Sequence, residues 1–237
     1  MKEFLTNRIT ISNEDAFSIG IDRKFPLQIH DIPYIVSKSN ITNLKNHSDI
    51  TKDFGEWDKG SIDLEALAEK CNSLATEDSN IIVFFNNWME FSNLCKAFNS
   101  RGFDVDCLVW EKTNPMPQIR KRHFLASTEL IMWAHRGKYT FNFKTQNEMH
   151  SLIRTPICMG KERLKDEEGH SLHPTQKPLS VIKYFIEVLS KPEDEVLDLF
   201  AGTMTTGLAS IQLGRKTWCN EREKVYYNAG KKRLLNG

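Results

Sequence analysis

The chain has 237 residues, of which 27% are charged and 40% are hydrophobic. This length and composition suit one globular domain whose core is large enough to be stable without disulfides or a structural metal. Because the formal net charge is only +1, any polyanionic partner must be held by a local basic patch rather than by the overall charge.

Cysteine spacing and apolar runs exclude several classes of protein. Cysteines stand singly, without a CxxC pair or a Cys/His cluster, which argues against a zinc site and a disulfide framework. The first residues, MKEFLTNRIT, lack the apolar stretch of a signal peptide, and no apolar run reaches membrane-spanning length. We therefore expect an intracellular protein with no metal and no membrane contact.

Short apolar runs along the chain predict β-strands; they are 25–30, 80–85, 105–110, 129–134, 139–143, 195–200 and 216–220. Between them, the helical spacing of apolar residues predicts helices at 64–74, 91–98 and 182–189, the first with a candidate N-cap at Ser61. Several strands are almost continuously apolar, which is typical of strands covered on both faces. This alternation predicts an α/β fold with a doubly wound, mostly parallel sheet.

Two polar stretches do not fit this pattern. Residues 35–60 are long for a connection, and residues 144–177 carry many charges without clear periodicity. Long irregular connections in a compact domain are usually functional or mobile. We therefore expect a functional or mobile role for both stretches.

The strand-like run at 25–30 is followed by Asp31-Ile32-Pro33-Tyr34. Aspartate and proline are common turn formers, so local chemistry alone indicates only a turn. The tetrapeptide nevertheless places a carboxylate, a stiffened backbone and an aromatic ring side by side at the end of a strand. A functional role for it requires support from other segments.

The segment EVLDLFAGTMTTGLAS, residues 195–210, predicts a strand, a tight turn at Gly202 and a helix. Open α/β sheets bind ligands at the carboxyl ends of parallel strands, although a glycine here can also serve the backbone alone. Met204 breaks the GxGxxG dinucleotide fingerprint, and the chain has no GK[ST] of a P-loop. Glu221 ends the next strand; it is either placed to accept hydrogen bonds from ribose hydroxyls or a solvated surface residue.

Together these segments resemble the β class of amino-group DNA methyltransferases. The tetrapeptide at 31–34 resembles the DPPY catalytic motif, and DLFAGTMTTG resembles the S-adenosylmethionine loop, usually a variant of DPFxGSGTTG. HPTQKP (173–178) matches the family's segment before that loop residue for residue, and WEKTNPMP (110–117) and STELIMWA (127–134) are also similar to the family. The catalytic motif precedes the cofactor loop, which is the circularly permuted order of the β class.

The resemblance implies a fold and an activity. The fold would be a single methyltransferase domain over residues 1–237, with a seven-stranded, Rossmann-like sheet. The activity would be transfer of a methyl group from S-adenosylmethionine to the exocyclic amine of a flipped base in DNA. It would take place in the cytoplasm of a bacterium or of a phage-infected host. Asp31 favours adenine N6 as the target, because the motif of cytosine-N4 enzymes more often begins with serine.

The resemblance also implies catalytic roles. The Asp31 carboxylate and the Ile32 carbonyl would accept hydrogen bonds from the two N–H groups of the amine, which would orient its lone pair toward the methyl group. Pro33 would help to fix the direction of that carbonyl, and Tyr34 would stack on the base. Ile32 replaces the usual proline, so we expect a less rigid loop. Met204 replaces the usual glycine, so its backbone must avoid positive φ or bear strain.

A set of cofactor-binding residues follows from the same resemblance: Asp15, Thr175, Lys177, Asp198, Phe200, Ala201, Gly202, Thr203, Thr205 and Glu221. Among them, Glu221 would hold the ribose and Asp15, in NEDAF, would meet the adenine. Thr175 and Lys177 would approach the methionine carboxylate. For Phe200, packing in the core is an open alternative.

A basic stretch and the two irregular stretches are the candidates for DNA contacts. Residues 112–123, KTNPMPQIRKRH, contain no acid, so their cations would clamp phosphates beside an active-site edge, although such a run can also be a solvated face. These cations are Lys112, Arg120, Lys121 and Arg122. A small target-recognition insertion is expected at 144–170, and the loop at 35–60 would close over the flipped nucleotide. Because both are short, we expect a short recognition sequence or a homodimer.

Three alternatives to an adenine-N6 enzyme stay open at this stage. A cytosine-N4 methyltransferase would share the fold and the cofactor. A catalytically silent DNA-binding subunit would keep the fold without turnover, and the changes at Ile32 and Met204 are its support. A nicotinamide-dependent oxidoreductase is disfavoured, because the dinucleotide fingerprint is absent.

Overall fold

The computed structural model describes residues 2–33, 62–119 and 121–236. Several predicted features lie outside the described residues, namely the loop at 35–60, Ser61, and the site residues Tyr34 and Arg120. Within the described part, no helix is long and apolar enough to cross a membrane.

Nine strands form one sheet in the described part of the chain. In chain order they are β1 (Lys2–Thr6), β2 (Ile9–Ser12), β3 (Phe25–Asp31), β4 (Ala75–Phe84), β5 (Asp104–Lys112), β6 (Thr128–Arg136), β7 (Leu152–Thr155), β8 (Glu195–Asp198) and β9 (Lys216–Asn220). Their spatial order is β1-β2-β9-β8-β3-β4-β6-β5-β7. The pairs β2/β9, β8/β9, β3/β8, β3/β4 and β5/β7 are parallel, whereas β1/β2, β4/β6 and β5/β6 are antiparallel. The predicted mostly parallel α/β sheet is confirmed, with nine strands instead of seven.

Five α-helices cover the sheet in the same part of the chain: α1 (Leu64–Leu74), α2 (Phe91–Asn99), α3 (Leu179–Leu189), α4 (Thr205–Gln212) and α5 (Lys224–Asn236). The three helices predicted from apolar spacing are confirmed. The N-cap of α1 is Asp63 and not Ser61, because the Asp63 carboxylate accepts the backbone N–H groups of Glu65 and Ala66 at 3.0 Å each. Such a cap contributes about 1 kcal/mol to stability.

The strand count differs from the prediction for local reasons. β1, β2 and β7, of four or five residues each, have no counterpart among the predicted apolar runs, and strands this short give only a weak periodic signal. The strand predicted at 139–143 is wrong. There the Asn142 backbone N–H donates to the Val188 carbonyl in α3 at 2.7 Å, and the Phe141 ring stacks on Trp133 at 5.4 Å. These aromatic residues pack against the sheet without joining its hydrogen-bond ladder.

The central strands are buried on both faces. Leu67 of α1 and Phe98 of α2 pack in one core cluster, and Phe185 of α3 packs in another on the opposite side of β4. The Phe185 ring lies 6.0 Å from that of Phe84, edge-on. Burying each such side chain contributes roughly 1.5–3 kcal/mol. This packing makes β3 and β4 a firm support for the residues at their carboxyl ends.

The connections that follow the central strands β3 and β8 run in opposite directions along the sheet. β3 and β8 are parallel neighbours, with Gln28 opposite Leu197. From β3 the chain crosses through α1 to β4 on one side, and from β8 it crosses through α4 to β9 on the other. Such a switch point leaves a crevice at the carboxyl ends of the strands. Asp31 ends β3 and Asp198 ends β8, so both carboxylates emerge at this crevice.

Candidate active site

A single cleft at this edge is lined by both segments that the sequence singled out. Its free internal volume is only about 30 Å³, well below the roughly 300–1,000 Å³ of typical ligand pockets, so a cofactor would have to open the cleft to enter it. Its lining residues are Ile29, Asp31, Phe84, His173, Thr175, Gln176, Lys177, Ile182, Asp198, Phe200, Ala201, Thr203, Thr205 and Thr206. The fold therefore brings Asp31, the HPTQKP segment and the glycine turn together.

The Asp31 carboxylate is held by a network of alternating charges. Lys177 Nζ donates to Asp31 Oδ1 at 2.7 Å. The same Nζ lies 3.2 Å from Glu129 Oε2, in a charge contact without the direction of a hydrogen bond. Lys112 Nζ lies 2.7 Å from Glu129 Oε1. Two cations and two anions thus neutralise one another, which compensates for removing these charges from water.

Burial and the neighbouring lysines set the charge of both anions. Burial raises the pKa of Asp31 to about 6, although the Lys177 ammonium opposes the rise. Burial would also raise the pKa of Glu129, but Lys177 and Lys112 outweigh it and lower that pKa below its usual range. At neutral pH Asp31 is therefore mostly ionised but close to taking up a proton, whereas Glu129 keeps its charge.

The residue after Asp31, Ile32, holds the backbone in place through its buried side chain. Ile32 is buried in the core cluster that α1 and α2 form with the sheet. Pro33 borders a neighbouring cleft beside the start of α1. Burial of Ile32 thus restrains the chain where the DPPY motif has a proline.

Asp198 organises the turn between β8 and α4. Its Oδ1 accepts the Phe200 backbone N–H at 3.0 Å, and its Oδ2 accepts the Thr206 hydroxyl at 2.6 Å. The carboxylate therefore ties the turn to the first residues of α4. The family resemblance implies that Asp198 also lies near the ammonium group of the cofactor, and this role stays a prediction.

A buried polar chain joins β3 to the same turn. The Leu199 backbone N–H donates to His30 Nδ1 at 3.2 Å. We therefore assign the ring proton to Nε2, which donates to Gln28 Oε1 at 3.1 Å. Gln28 in turn donates to the Cys71 carbonyl at 2.9 Å. These contacts fix the strand that carries Asp31 relative to the turn that follows β8.

The turn itself uses left-handed backbone at two residues. Gly202 has φ +50°, and a Cβ added there would lie 3.2 Å from His173 Nε2. Met204 has φ +58°. Of the two outcomes expected from the sequence, avoiding positive φ or bearing strain, the backbone at Met204 therefore shows the second. Its buried side chain occupies space that Gly230 leaves open, because a Cβ at Gly230 would lie 2.6 Å from Met204 Cγ. A glycine in α5 thus compensates for the methionine in the turn.

Glu221 follows β9 and holds the glycine turn from the other side. Its Oε2 accepts the Gly202 N–H and its Oε1 accepts the Glu223 N–H, both at 2.7 Å. Burial raises the pKa of Glu221 to about 7, and the two backbone hydrogen bonds oppose the rise. Its contact with a ribose stays a prediction.

Asp15 lies in a turn beside Phe200. Its Oδ1 accepts the backbone N–H groups of Phe17 and Ser18 at 2.9 and 3.2 Å. The Phe17 ring lies 6.4 Å from the Phe200 ring, edge-on. Phe200 is half-buried and packs against two core clusters, so its core-packing role is real while part of its ring stays accessible.

The cations predicted to bind DNA separate into two groups. Lys121 and Arg122 are exposed in the loop between β5 and β6. Lys112 ends β5, pairs with Glu129 and exposes only 15% of its side chain. Lys112 therefore belongs to the charge network around Asp31, whereas Lys121 and Arg122 lie at the surface.

Sequence reasoning missed Glu129 and Thr206 as site residues. Glu129 is the only charged residue in the apolar run at 129–134, and a lone acid in a buried strand was a signal that it had a buried partner. Thr206 looked like an ordinary helix-start residue. In the described ranges, no group of His, Cys, Asp and Glu side chains comes together that could hold a metal ion.

Comparison with known proteins identifies the family. A family model described as DNA methylase, of the N6/N4 type, matches residues 26–232. The chain belongs to this DNA methylase family. The resemblance predicted from the motifs is thereby confirmed.

Relatives of this DNA methylase include bacterial type II methyltransferases. The chain is 32% identical over 236 residues to "Type II methyltransferase M.HinfI" of Haemophilus influenzae, covering 95% of this chain and 64% of that relative's length. It is 29% identical over 218 residues to "Type II methyltransferase M2.LlaDCHI" of Lactococcus lactis subsp. cremoris, covering 87% of this chain and 81% of that relative. The chain thus spans somewhat less than two thirds of M.HinfI.

Solved structures support the same fold. The crystal structure of the M1.HpyAVI–SAM complex superposes with a TM-score of 0.72 at 31% identity, covering 95% of this chain and 98% of that one. The cytosine-N4-specific PvuII DNA methyltransferase also gives a TM-score of 0.72, at 18% identity, covering 97% of this chain and 87% of that one. The second likeness shows the fold alone.

Proposed function

We propose that this DNA methylase transfers a methyl group from S-adenosylmethionine to the exocyclic amine of a base in DNA, and that the base is adenine, methylated at N6. The observation that carries the proposal is that Asp31 and the turn after β8 line one cleft. The type II methyltransferase relatives and the M1.HpyAVI–SAM complex support methyl transfer from S-adenosylmethionine to DNA, and Asp31 at the start of the motif is the feature that favours adenine.

The target amine is a poor nucleophile, because its lone pair is delocalised into the base. The Asp31 carboxylate and the Ile32 carbonyl accept hydrogen bonds from the two N–H groups of the amine, and this directs its lone pair out of the ring plane. Lys177 occupies Asp31 Oδ1, so we assign Oδ2 to the amine. The base leaves the duplex to reach these groups.

S-adenosylmethionine, when bound, supplies a methyl group already activated by its sulfonium charge. The protein therefore contributes mainly by positioning the reacting groups. The amine becomes acidic as the new bond forms, and its proton then passes to Asp31 or to water. A carboxyl whose pKa burial raises to about 6 is a suitable acceptor at neutral pH.

The residues of the turn suit this cofactor. Gly202 lets the backbone run close to other groups, since a Cβ there would approach His173 at 3.2 Å. Glu221 would hold the ribose and Asp15 the adenine, with the Phe200 ring between core and cofactor. Lys177 would approach the methionine carboxylate from its position beside Asp31.

DNA would lie across the same edge of the sheet. The exposed cations Lys121 and Arg122 would contact phosphates. Target recognition is assigned to residues 144–170, of which β7 forms part by pairing with β5. A homodimer stays a prediction.

Labelled methyl transfer tests the proposal. Unmethylated DNA is incubated with radiolabelled S-adenosylmethionine and digested, and the nucleosides are separated. We expect label in N6-methyladenine, reduced by at least about a hundredfold in Asp31→Ala. Asp104→Ala, a change of an exposed aspartate at the start of β5, is the matched control and should resemble the wild type.

Other outcomes identify the alternatives. Label in N4-methylcytosine would assign the chain to cytosine. Cofactor binding without any transfer would indicate a silent DNA-binding subunit. Full transfer by Asp31→Ala would contradict the proposed site.

A further inference from the structure

The loop between β5 and β6, residues 113–127, leaves the sheet at the edge that carries the candidate active site. Its base is closed by the Lys112 N–H, which donates to the Ser127 carbonyl at 2.7 Å. Lys112 and Glu129, on either side of the loop, belong to the charge network around Asp31. The loop therefore starts and ends close to the cleft.

Large apolar side chains are exposed in this loop. Phe124 is 100% exposed and Ile119 is 82% exposed, and Met116 and Leu125 are also at the surface. A single exposed apolar residue is ordinary. A group of them within one loop marks an interaction surface.

The charges in the loop indicate that its partner is a nucleic acid. Lys121 and Arg122 are exposed shortly before Phe124, and residues 113–127 contain no acid. Cations bind phosphates, whereas an aromatic ring stacks on bases. A protein or a membrane would also cover apolar side chains, but neither accounts for their position at the active-site edge of a DNA methylase.

We propose that Phe124 is a wedge that enters the duplex and occupies the space left by the flipped base. The inference rests on the proposed function, because extraction of a base creates the gap. An apolar side chain in that gap restores part of the lost stacking. Phe124 precedes Thr128, the first residue of β6, by four residues, a reach of at most about 14 Å. The ring thus stays near the cleft while Lys121 and Arg122 hold phosphates.

Another exposed aromatic side chain at this edge is a useful comparison. Trp88 is 74% exposed in the segment after β4. Residues 85–90 contain the acid Glu90 and no cation, so this segment does not attract a phosphate backbone. We therefore assign the wedge to Phe124 and not to Trp88.

The test compares two duplexes that carry the methylated sequence of the wild-type protein, mapped first by sequencing DNA that it has modified. In one duplex the target base is paired, and in the other it is mispaired and therefore easier to extract. Methyl transfer is measured with radiolabelled cofactor, and affinity by fluorescence anisotropy of the labelled duplex. The variants are Phe124→Ala, Phe124→Trp, Trp88→Ala and Phe143→Ala; Phe143 is 55% exposed and follows β6 at the opposite edge of the sheet.

Phe124→Ala is expected to lose roughly ten- to a hundredfold in transfer to the paired duplex and to regain most of it on the mispaired one. We divide each protein's affinity for the mispaired duplex by its affinity for the paired duplex. This ratio is expected to be several-fold higher for Phe124→Ala than for the wild type. Phe124→Trp should keep transfer to the paired duplex, Phe143→Ala should match the wild type, and any loss in Trp88→Ala should be equal on both duplexes.

Equal losses of Phe124→Ala on the two duplexes, or no loss, would overturn the wedge. A wild-type protein that modifies no DNA, so that no methylated sequence can be mapped, would instead contradict the proposed function. In that case the affinities are measured on a duplex of arbitrary sequence with one adenine either paired or mispaired, which needs no turnover: an unchanged ratio of the two affinities in Phe124→Ala rejects the wedge, and a raised ratio supports it.

Discussion

Lys177 and Asp31 lie 146 residues apart in the sequence, yet their side chains form a hydrogen-bonded ion pair of 2.7 Å. The pair joins the HPTQKP segment to the end of β3. It therefore couples the carboxylate assigned to the target amine to the segment assigned to the cofactor.

Replacing Lys177 should change the pH dependence of methyl transfer. In the proposed mechanism the ionised Asp31 carboxylate is the stronger hydrogen-bond acceptor and the form that can take up the amine proton, so wild-type kcat/KM should rise with pH and level off above about 6, the pKa of Asp31. Lys177→Met removes the charge that opposes the rise of this pKa, so the profile should shift to higher pH and transfer at pH 7 should fall at least about tenfold. Lys177→Arg keeps the charge and should shift less. Superimposable pH profiles would show that the pair does not set the charge of Asp31.

Replacing Glu129 should destabilise the fold. Glu129→Gln leaves the buried Lys177 and the partly buried Lys112 ammonium groups without their shared anion, and breaking a buried pair in this way costs about 3–5 kcal/mol. Urea unfolding at neutral pH measures the loss. The matched control is Glu111→Gln, which breaks the partly exposed pair between Glu111 and Arg154 and should cost less than about 1 kcal/mol. Equal losses in the two variants would contradict the buried network.

Glu221 should make stability fall as pH rises. The unfolded carboxyl titrates near 4.5, whereas burial holds the folded pKa at about 7. The unfolded chain therefore releases this proton first, and the folded state loses stability between these two values. Glu221→Gln does not titrate, so from pH 4 to pH 8 its stability relative to the wild type should rise by about 3 kcal/mol at most. Urea unfolding across this range measures the difference, and parallel curves would contradict the raised pKa.

Met204 and Gly230 should be energetically coupled. In the wild type, Gly230→Ala forces a Cβ to within 2.6 Å of Met204 Cγ and should destabilise by about 1–3 kcal/mol. In a Met204→Gly background the clash is gone, and the same change should stabilise by up to about 1 kcal/mol, because alanine favours the helix. Thermal or urea unfolding of the four variants gives the coupling energy. Additive effects would show that Gly230 does not accommodate Met204.

The sequence predicted most of the elements that build the site. Apolar runs identified β3 and β8, and the family resemblance implied that the segments following these two strands form one site. The motif resemblance supplied the chemistry, which periodicity alone does not carry. Both inferences rest on short stretches of chain, where local patterns are informative.

Contacts between distant segments could not be predicted in the same way. The charge of Lys177 suits a cofactor carboxylate, but its ion pair with Asp31 depends on how the HPTQKP segment packs, which has no signal in the local sequence. Lys112 looked like part of a surface patch because its buried partner Glu129 lies in another strand. The aromatic run at 139–143 alternates like a strand, yet its backbone finds a hydrogen-bond partner in α3.

The central claim is that Asp31 acts on the target amine in a cleft it shares with the cofactor loop. Parallel measurements of S-adenosylmethionine binding, by isothermal titration, and of methyl transfer to DNA, for the wild type and Asp31→Asn, test it most directly. We predict that Asp31→Asn binds the cofactor within a few-fold of the wild type while transfer falls at least about a hundredfold. Transfer close to the wild-type rate, or a loss of cofactor binding as large as the loss of transfer, would contradict the account.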